Sequence, residues 1–150
     1  MPMHSDFTLI LGDSPITIGD SNRGGYPVWE KTFSTGGREA NSPGFLIFNV
    51  RHLTHSVGDV LVRINGKDVG FIYTYRPGGS DINTTDVNQP EKWRQTDHWY
   101  TQMIAFGGGQ INDGDNSIRI EAVDYPEKTA ANMYDDFLIK DMFCFFHKKT

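Results

Sequence analysis

Along this chain, apolar and polar positions alternate with a period of two in one short segment after another, and turn residues separate the segments. Val60, Val62 and Ile64 alternate with Leu61, Arg63 and Asn65, the pattern of a half-buried strand. A second run, ending in Phe71-Ile72-Tyr73, follows after Asn65-Gly66-Lys67-Asp68, so residues 59–75 predict a β-hairpin. Asn-Gly suits a type I′ turn, which needs positive φ at both central positions and twists as the strands do. A lone hairpin is marginal in water, so its apolar face requires further strands.

Those strands are legible on either side. Residues 7–11 and 15–18 flank the turn Gly12-Asp13-Ser14. Residues 28–33 place Trp29 and Phe33 on one face, predicted inward. Residues 45–53 are apolar on both faces in their first half, which suits a central strand, and alternation puts Leu53 with Phe45 and Ile47. Residues 98–106 set Trp99, Thr101, Met103 and Ala105 against His98, Tyr100, Gln102, Ile104 and Phe106. In 116–123, Ile118 and Ile120 alternate with Arg119 and Glu121. The last run changes parity: Phe137 and Ile139 lie on one phase, Met142, Cys144 and Phe146 on the other. A β-bulge near Lys140-Asp141 reconciles the halves, because one extra residue reverses the facing of all that follow. The reading is an all-β, antiparallel two-sheet sandwich (a jelly roll) of eight or nine strands. Residues 127–135 offer the only helix-forming run, so at most one short helix fits.

Composition narrows the function classes. A chain of 150 residues suits one domain, and sixteen Gly with seven Pro fit strands punctuated by turns. The net charge of −5 argues against a nucleic-acid surface, which needs clustered Lys and Arg. No window is long and apolar enough for membrane insertion, and the first residues lack the pattern of a secretory signal. The expectation is a soluble protein of unassigned compartment. The one Cys, Cys144, lies in an apolar run and reads as a small core residue. That fits a reducing compartment and equally a processed exported protein.

The segments VRINGKDVGFI, INDGDNSIRIEA and DDFLIKDMFCFF resemble, in content and order, the galactose-binding-like jelly rolls found as carbohydrate-binding modules and as accessory domains of glycosidases and polysaccharide lyases. The match covers mainly 59–71 and 111–146, about a third of the chain. It implies a sandwich fold and an inclination toward glycans, while the phrases themselves are structural turns and strands.

Candidate chemistry gathers in and after the unpatterned segment 76–97. Connections that long are often binding loops or disordered segments. Glycan recognition needs flat aromatic faces and planar polar groups. Trp93, Arg94, Asp97, His98, Trp99 and Tyr100 supply them, with Gln102 near and Arg76 and Asp81 as rim contributors. The plainer reading, favoured for Trp99, is packing, whereas Trp93, in a polar loop between Lys92 and Arg94, is the expected aromatic platform. Asp113 and Asp115 in the Asn112–Asn116 segment, with Asp135 and Asp136, are candidate ligands for a structural calcium ion, a hard cation that takes 6–8 oxygens. They lack the full calcium-loop spacing, and tight turns select the same residues, so ordinary turns are the favoured reading. His52 and His55 would point to opposite faces of a strand and not share a metal. No nucleophile–base motif appears. The leading expectation is a non-catalytic, lectin-like glycan-binding module needing no cofactor. The alternatives are a structural or protein-interaction jelly-roll subunit of an oligomeric assembly, with a homo-oligomer among the partners considered, and, third, a small glycan-active enzyme.

Overall fold

The computed structural model describes residues 4–53, 60–74, 98–124 and 134–149. They form nine strands in two antiparallel sheets. One sheet holds β1 (His4–Leu11), β9 (Phe137–Lys148), β4 (Gly44–Arg51) and β7 (Tyr100–Phe106) in that order, with β2 (Ile16–Ile18) also pairing with β9. The other runs β3 (Val28–Ser34), β8 (Asp115–Glu121), β5 (Val60–Ile64) and β6 (Lys67–Ile72). Only the β1–β2 and β5–β6 connections stay within a sheet, so the chain crosses repeatedly between layers, as a jelly roll does. A 3-10 turn at Ser21–Arg23 is the one helical element among the described residues. No helix among them is long and apolar enough to cross a membrane, which says nothing of a membrane β-barrel.

The period-two alternation decides what is buried. Val60, Val62, Ile64, Ile118, Ile120, Phe137 and Ile139 are each at most 1% exposed, and Trp29 and Phe33 join them between the sheets. The hairpin forms as its turn dictates, with Asn65 at φ 54° and Gly66 at 77°. A residue with a Cβ at Gly66 would be strained there.

The parity change in the last strand is a bulge. Ile47 pairs with Phe143 but Asn49 pairs with Lys140, so Asp141 and Met142 together face Phe48. Asp141 adopts φ 51° and donates its N–H to the Gly12 carbonyl at 2.9 Å. A matching irregularity at Ile10 turns both Ile10 and Leu11 inward. The central position expected for 45–53 also holds, but the strand ends at Arg51. His52 takes φ 70°, and this left-handed residue reverses the facing of Leu53, which is 1% exposed in the core and not on the Phe45 side. The extended backbone assumed for His52 is therefore corrected; His55 lies outside the described residues. Cys144 is buried, and burial pushes its thiol up to about 12, consistent with an inert core residue.

Candidate functional site

All crossings between the sheets deliver loops to one of two ends. The end bearing the Asn65-Gly66 turn also carries residues 35–43 and 107–114; the opposite end carries 19–27, the start of β7 and the start of β9. The four acidic candidates are split between these ends. Asp113 and Asp115 lie at the first, Asp135 and Asp136 at the second, so they cannot share one ion.

At the first end the candidate calcium segment is a hydrogen-bonded turn organised by Asn116, which is 3% exposed. Its amide donates to Thr35 Oγ1 (2.8 Å) and the Gly114 carbonyl (3.0 Å). Its Oδ1 accepts the Asn112 N–H (2.7 Å) and the Asn65 Nδ2 (3.0 Å). Thr35 Oγ1 donates in turn to the Asn112 carbonyl at 2.6 Å. Asp113 is already engaged by the Gly37 N–H (2.8 Å) and Lys149 Nζ (2.7 Å), and the hydrogen bond from Lys149, then that from Gly37, holds its carboxyl below the usual range. Asp115 lines a shallow hollow of about 300 Å³ with Thr32, Phe33 and Ser34.

At the other end Asp136 Oδ1 accepts the Asp20 N–H at 2.6 Å, and Asp20 Oδ1 accepts the Tyr134 N–H at 3.1 Å. The two carboxylates tie the 3-10 turn to the entry of β9. Burial, the larger influence, and the Asp20 charge raise the Asp136 pKa against the effect of the Asp20 N–H and Arg23. Gly19 permits the approach: at φ 153°, any Cβ there would strike Asp136 Oδ1. Among the described residues no three His, Cys, Asp or Glu side chains gather as a metal site. The Asp113 carboxylate accepts the Gly37 N–H and that of Asp136 the Asp20 N–H, so each holds a loop to its neighbour.

The aromatic candidates divide as successive residues of a strand must. Tyr100 turns inward, packs against the core and donates its hydroxyl to the Tyr73 carbonyl at 2.5 Å. Burial, and secondarily the Asp135 charge, drives its pKa far up. Gln102 is similarly committed: its Nε2 donates to the Tyr73 carbonyl (2.7 Å) and its Oε1 accepts the Tyr73 N–H (3.2 Å), clamping the end of β6 to β7. His98 is half-buried at the entry to β7. Arg76, Asp81, Trp93, Arg94 and Asp97 lie outside the described residues.

Trp99 instead sits on the outer face of the β1–β9–β4–β7 sheet. Lys140 Nζ lies 4.7 Å from its ring centroid and the Arg51 guanidinium carbon 6.0 Å, within cation–π range. The neighbouring outward positions are polar. Thr101 Oγ1 donates to Asn49 Oδ1 (2.7 Å), and Asn49 Nδ2 donates to Asp141 Oδ2 (3.2 Å). An aromatic plane, an amide, a hydroxyl, a carboxylate and two cations therefore share one surface. Asn49, Arg51, Thr101, Lys140 and Asp141 escape a linear reading because they come from three strands. Parity gave each its facing, but the neighbour order β9–β4–β7 is a property of the fold.

No protein-family model matches the chain, and no curated protein sequence does. Solved structures share its fold. A β-porphyranase of glycoside hydrolase family 86 from the human gut bacterium Bacteroides plebeius matches 99% of this chain with a TM-score of 0.53 and 14% identity, the match covering 21% of the porphyranase. Dimeric latent PorU from Porphyromonas gingivalis matches 99% of the chain with a TM-score of 0.62 and 8% identity, over 13% of its own length. A family 35 carbohydrate-binding module from Clostridium thermocellum aligns over 94% of this chain and 98% of its own, with a TM-score of 0.46 and 14% identity. The chain thus spans about a fifth or less of the two longer proteins, and what it shares with them is the antiparallel β-sandwich that the resemblance to galactose-binding-like jelly rolls implied.

Proposed function

We propose that this chain is a non-catalytic carbohydrate-binding module whose glycan stacks on Trp99. The observation that carries the reading is the Trp99 ring on an outer sheet face beside the Asn49–Thr101–Asp141 hydrogen-bonded group. A pyranose presents C–H groups to an aromatic plane and hydroxyls to planar polar partners. Asn49 keeps one amide hydrogen and one carbonyl lone pair beyond those in use, and Lys140 and Asp141 add a donor and an acceptor. The porphyranase that shares the sandwich is a glycoside hydrolase. Trp93, Arg94 and Asp97, with Arg76 and Asp81 as rim residues, belong to the segment that leads into Trp99 and extend the same proposal.

The test is a glycan array on the wild-type chain, followed by calorimetry on wild type and Trp99→Ala with thermal melts as a folding control. Loss of the ring should weaken binding roughly fivefold or more, equivalent to about 1 kcal/mol. Unchanged affinity in a folded Trp99→Ala protein would remove Trp99 as the platform. No glycan bound by the wild type would overturn the carbohydrate reading.

A further inference from the structure

Lys140 and Trp99 meet although their strands are not neighbours. Lys140 lies on β9 and Trp99 immediately precedes β7, with β4 between them, so their backbones are roughly 10 Å or more apart at the usual strand spacing. Both side chains lean over β4, which brings Lys140 Nζ to 4.7 Å over the Trp99 ring, whereas Arg51, at 6.0 Å, is at the limit of cation–π range. The Lys140 side chain is only 21% exposed, yet its carboxylate contacts are long: 3.5 Å to Asp13 Oδ1 and 3.8 Å to Asp141 Oδ2. A charge-assisted hydrogen bond runs about 2.7–2.9 Å. The ammonium thus sits between an aromatic face and two carboxylates without closing on either. The bulge sets this arrangement, because the Asp141 N–H donates to the Gly12 carbonyl at 2.9 Å and so holds the Asp13 turn beside Lys140. The next two rows of this outer face are apolar, from Phe7 and Leu9 on β1 to Ala105 and Met103 on β7, so a sugar's hydroxyls find side-chain partners only in the band around Asn49.

We propose that Lys140 is a built-in cap on the Trp99 platform: it occupies the ring in the free protein, and a neutral sugar displaces it in order to stack. The inference rests on the glycan reading above and adds how that site is controlled. Trp99 is half-buried, so a sugar reaches one face of its ring, and an ammonium 4.7 Å over the ring leaves no room there for a pyranose at van der Waals distance. The alternative place for the charge is already prepared. Lysine carries its charge on a flexible four-carbon stem, and shortening the contact to Asp13 or Asp141 exchanges the ring for a full ion pair. Asp13 suits the part, since its side chain is 92% exposed and Lys140 is its hydrogen-bond partner. Lys140 and Arg51 stand against Asp13 and Asp141, so the uncovered platform carries no excess charge and suits a neutral pyranose rather than an acidic one. A cation on a solvent-reached ring is held weakly, so the cap lowers affinity by roughly two- to fivefold without closing the site.

Side-chain NMR on the full chain reads the cap directly. The ring current of an indole shifts a lysine ε-methylene lying over it upfield, so the Lys140 signal should lie upfield in the wild type and return to the ordinary lysine position in Trp99→Ala. Saturation with the tightest binder among neutral oligosaccharides of glucose, xylose, mannose and galactose should move it to that same position. Lys140→Gln removes the cation but keeps an N–H donor for the sugar, so calorimetry should show affinity for that oligosaccharide rising roughly two- to fivefold, with a thermal melt as the folding control. A Lys140 signal without the upfield shift in the free protein, a signal that stays shifted in the saturated complex, or a folded Lys140→Gln variant that binds no tighter would each overturn the cap. So would binding confined to acidic glycans, because Lys140 would then be their anchor. Each of these outcomes leaves Trp99→Ala to decide the stacking platform by itself, whereas a wild type that binds no glycan removes both proposals.

Discussion

Replacing Asn116 by Ala is expected to destabilise the protein by about 3 kcal/mol, although the residue lies in a polar turn and touches no ligand candidate. Its side chain is 3% exposed and makes four hydrogen bonds that join the β3–β4 loop, the β7–β8 loop and the hairpin turn. Each such bond contributes about 1 kcal/mol net, and a buried group left without its partner costs a further ~1–3 kcal/mol. Re-pairing tempers the sum: Asn65 Nδ2 keeps the Gln110 carbonyl at 3.1 Å, and Thr35 Oγ1 keeps the Asn112 carbonyl. The Asn112 N–H loses the partner it had, while the Gly114 carbonyl still accepts the Thr35 N–H at 2.8 Å. For a chain this long, 3 kcal/mol corresponds to a Tm drop of about 6–12 °C. Urea melts followed by fluorescence and circular dichroism would give the free energy directly. Asn116→Asp sharpens the test. A carboxylate can still accept from Asn112 and Asn65, but it faces the Gly114 carbonyl as a second acceptor, so Asn116→Asp should be less stable at pH 7 than near pH 3, relative to wild type. A loss under about 1 kcal/mol for Asn116→Ala would refute the hub assignment and leave this turn held by its backbone.

Ile120→Ala should cost about 2–5 kcal/mol, since a fully buried side chain is removed and a cavity remains, whereas Arg119→Ala, on the exposed face of the same strand, should shift a denaturant melt far less. Equal effects would show the inward face to be wrongly assigned. Gly19→Ala should destabilise by about 2 kcal/mol or more, because both φ 153° and the Asp136 carboxylate oppose a Cβ; an unchanged Tm would refute the close approach. Asp136 has a raised folded pKa, so its stabilising contribution is present when it is protonated and is lost as pH rises through that pKa. Asp136→Asn keeps an acceptor for the Asp20 N–H and removes the charge, so the variant should gain stability relative to wild type as pH rises from about 3 to 7. Parallel pH profiles of Tm would count against it.

The sequence by itself determined what local chemistry controls: strand facing, the Asn65-Gly66 hairpin, the bulge at Asp141 and the sandwich class. Period-two alternation and the steric demands of a tight turn act within a few residues, so they are written in consecutive letters. It failed at His52, where one left-handed residue ended β4 and turned Leu53 into the core; a non-glycine at positive φ leaves no reliable mark in the sequence. Partnership between strands was decided only by the tertiary structure. Asn116 reads as a metal-loop residue or a turn former until Thr35 and Asn65 arrive from elsewhere in the chain to use its amide. The outward residues of β1, β4, β7 and β9 read as unremarkable alternation in four separate places. Their coming together as one apolar face, with Trp99 and its polar neighbours above it, depends on the strand order, which hydrophobic burial selects globally and which no local pattern encodes.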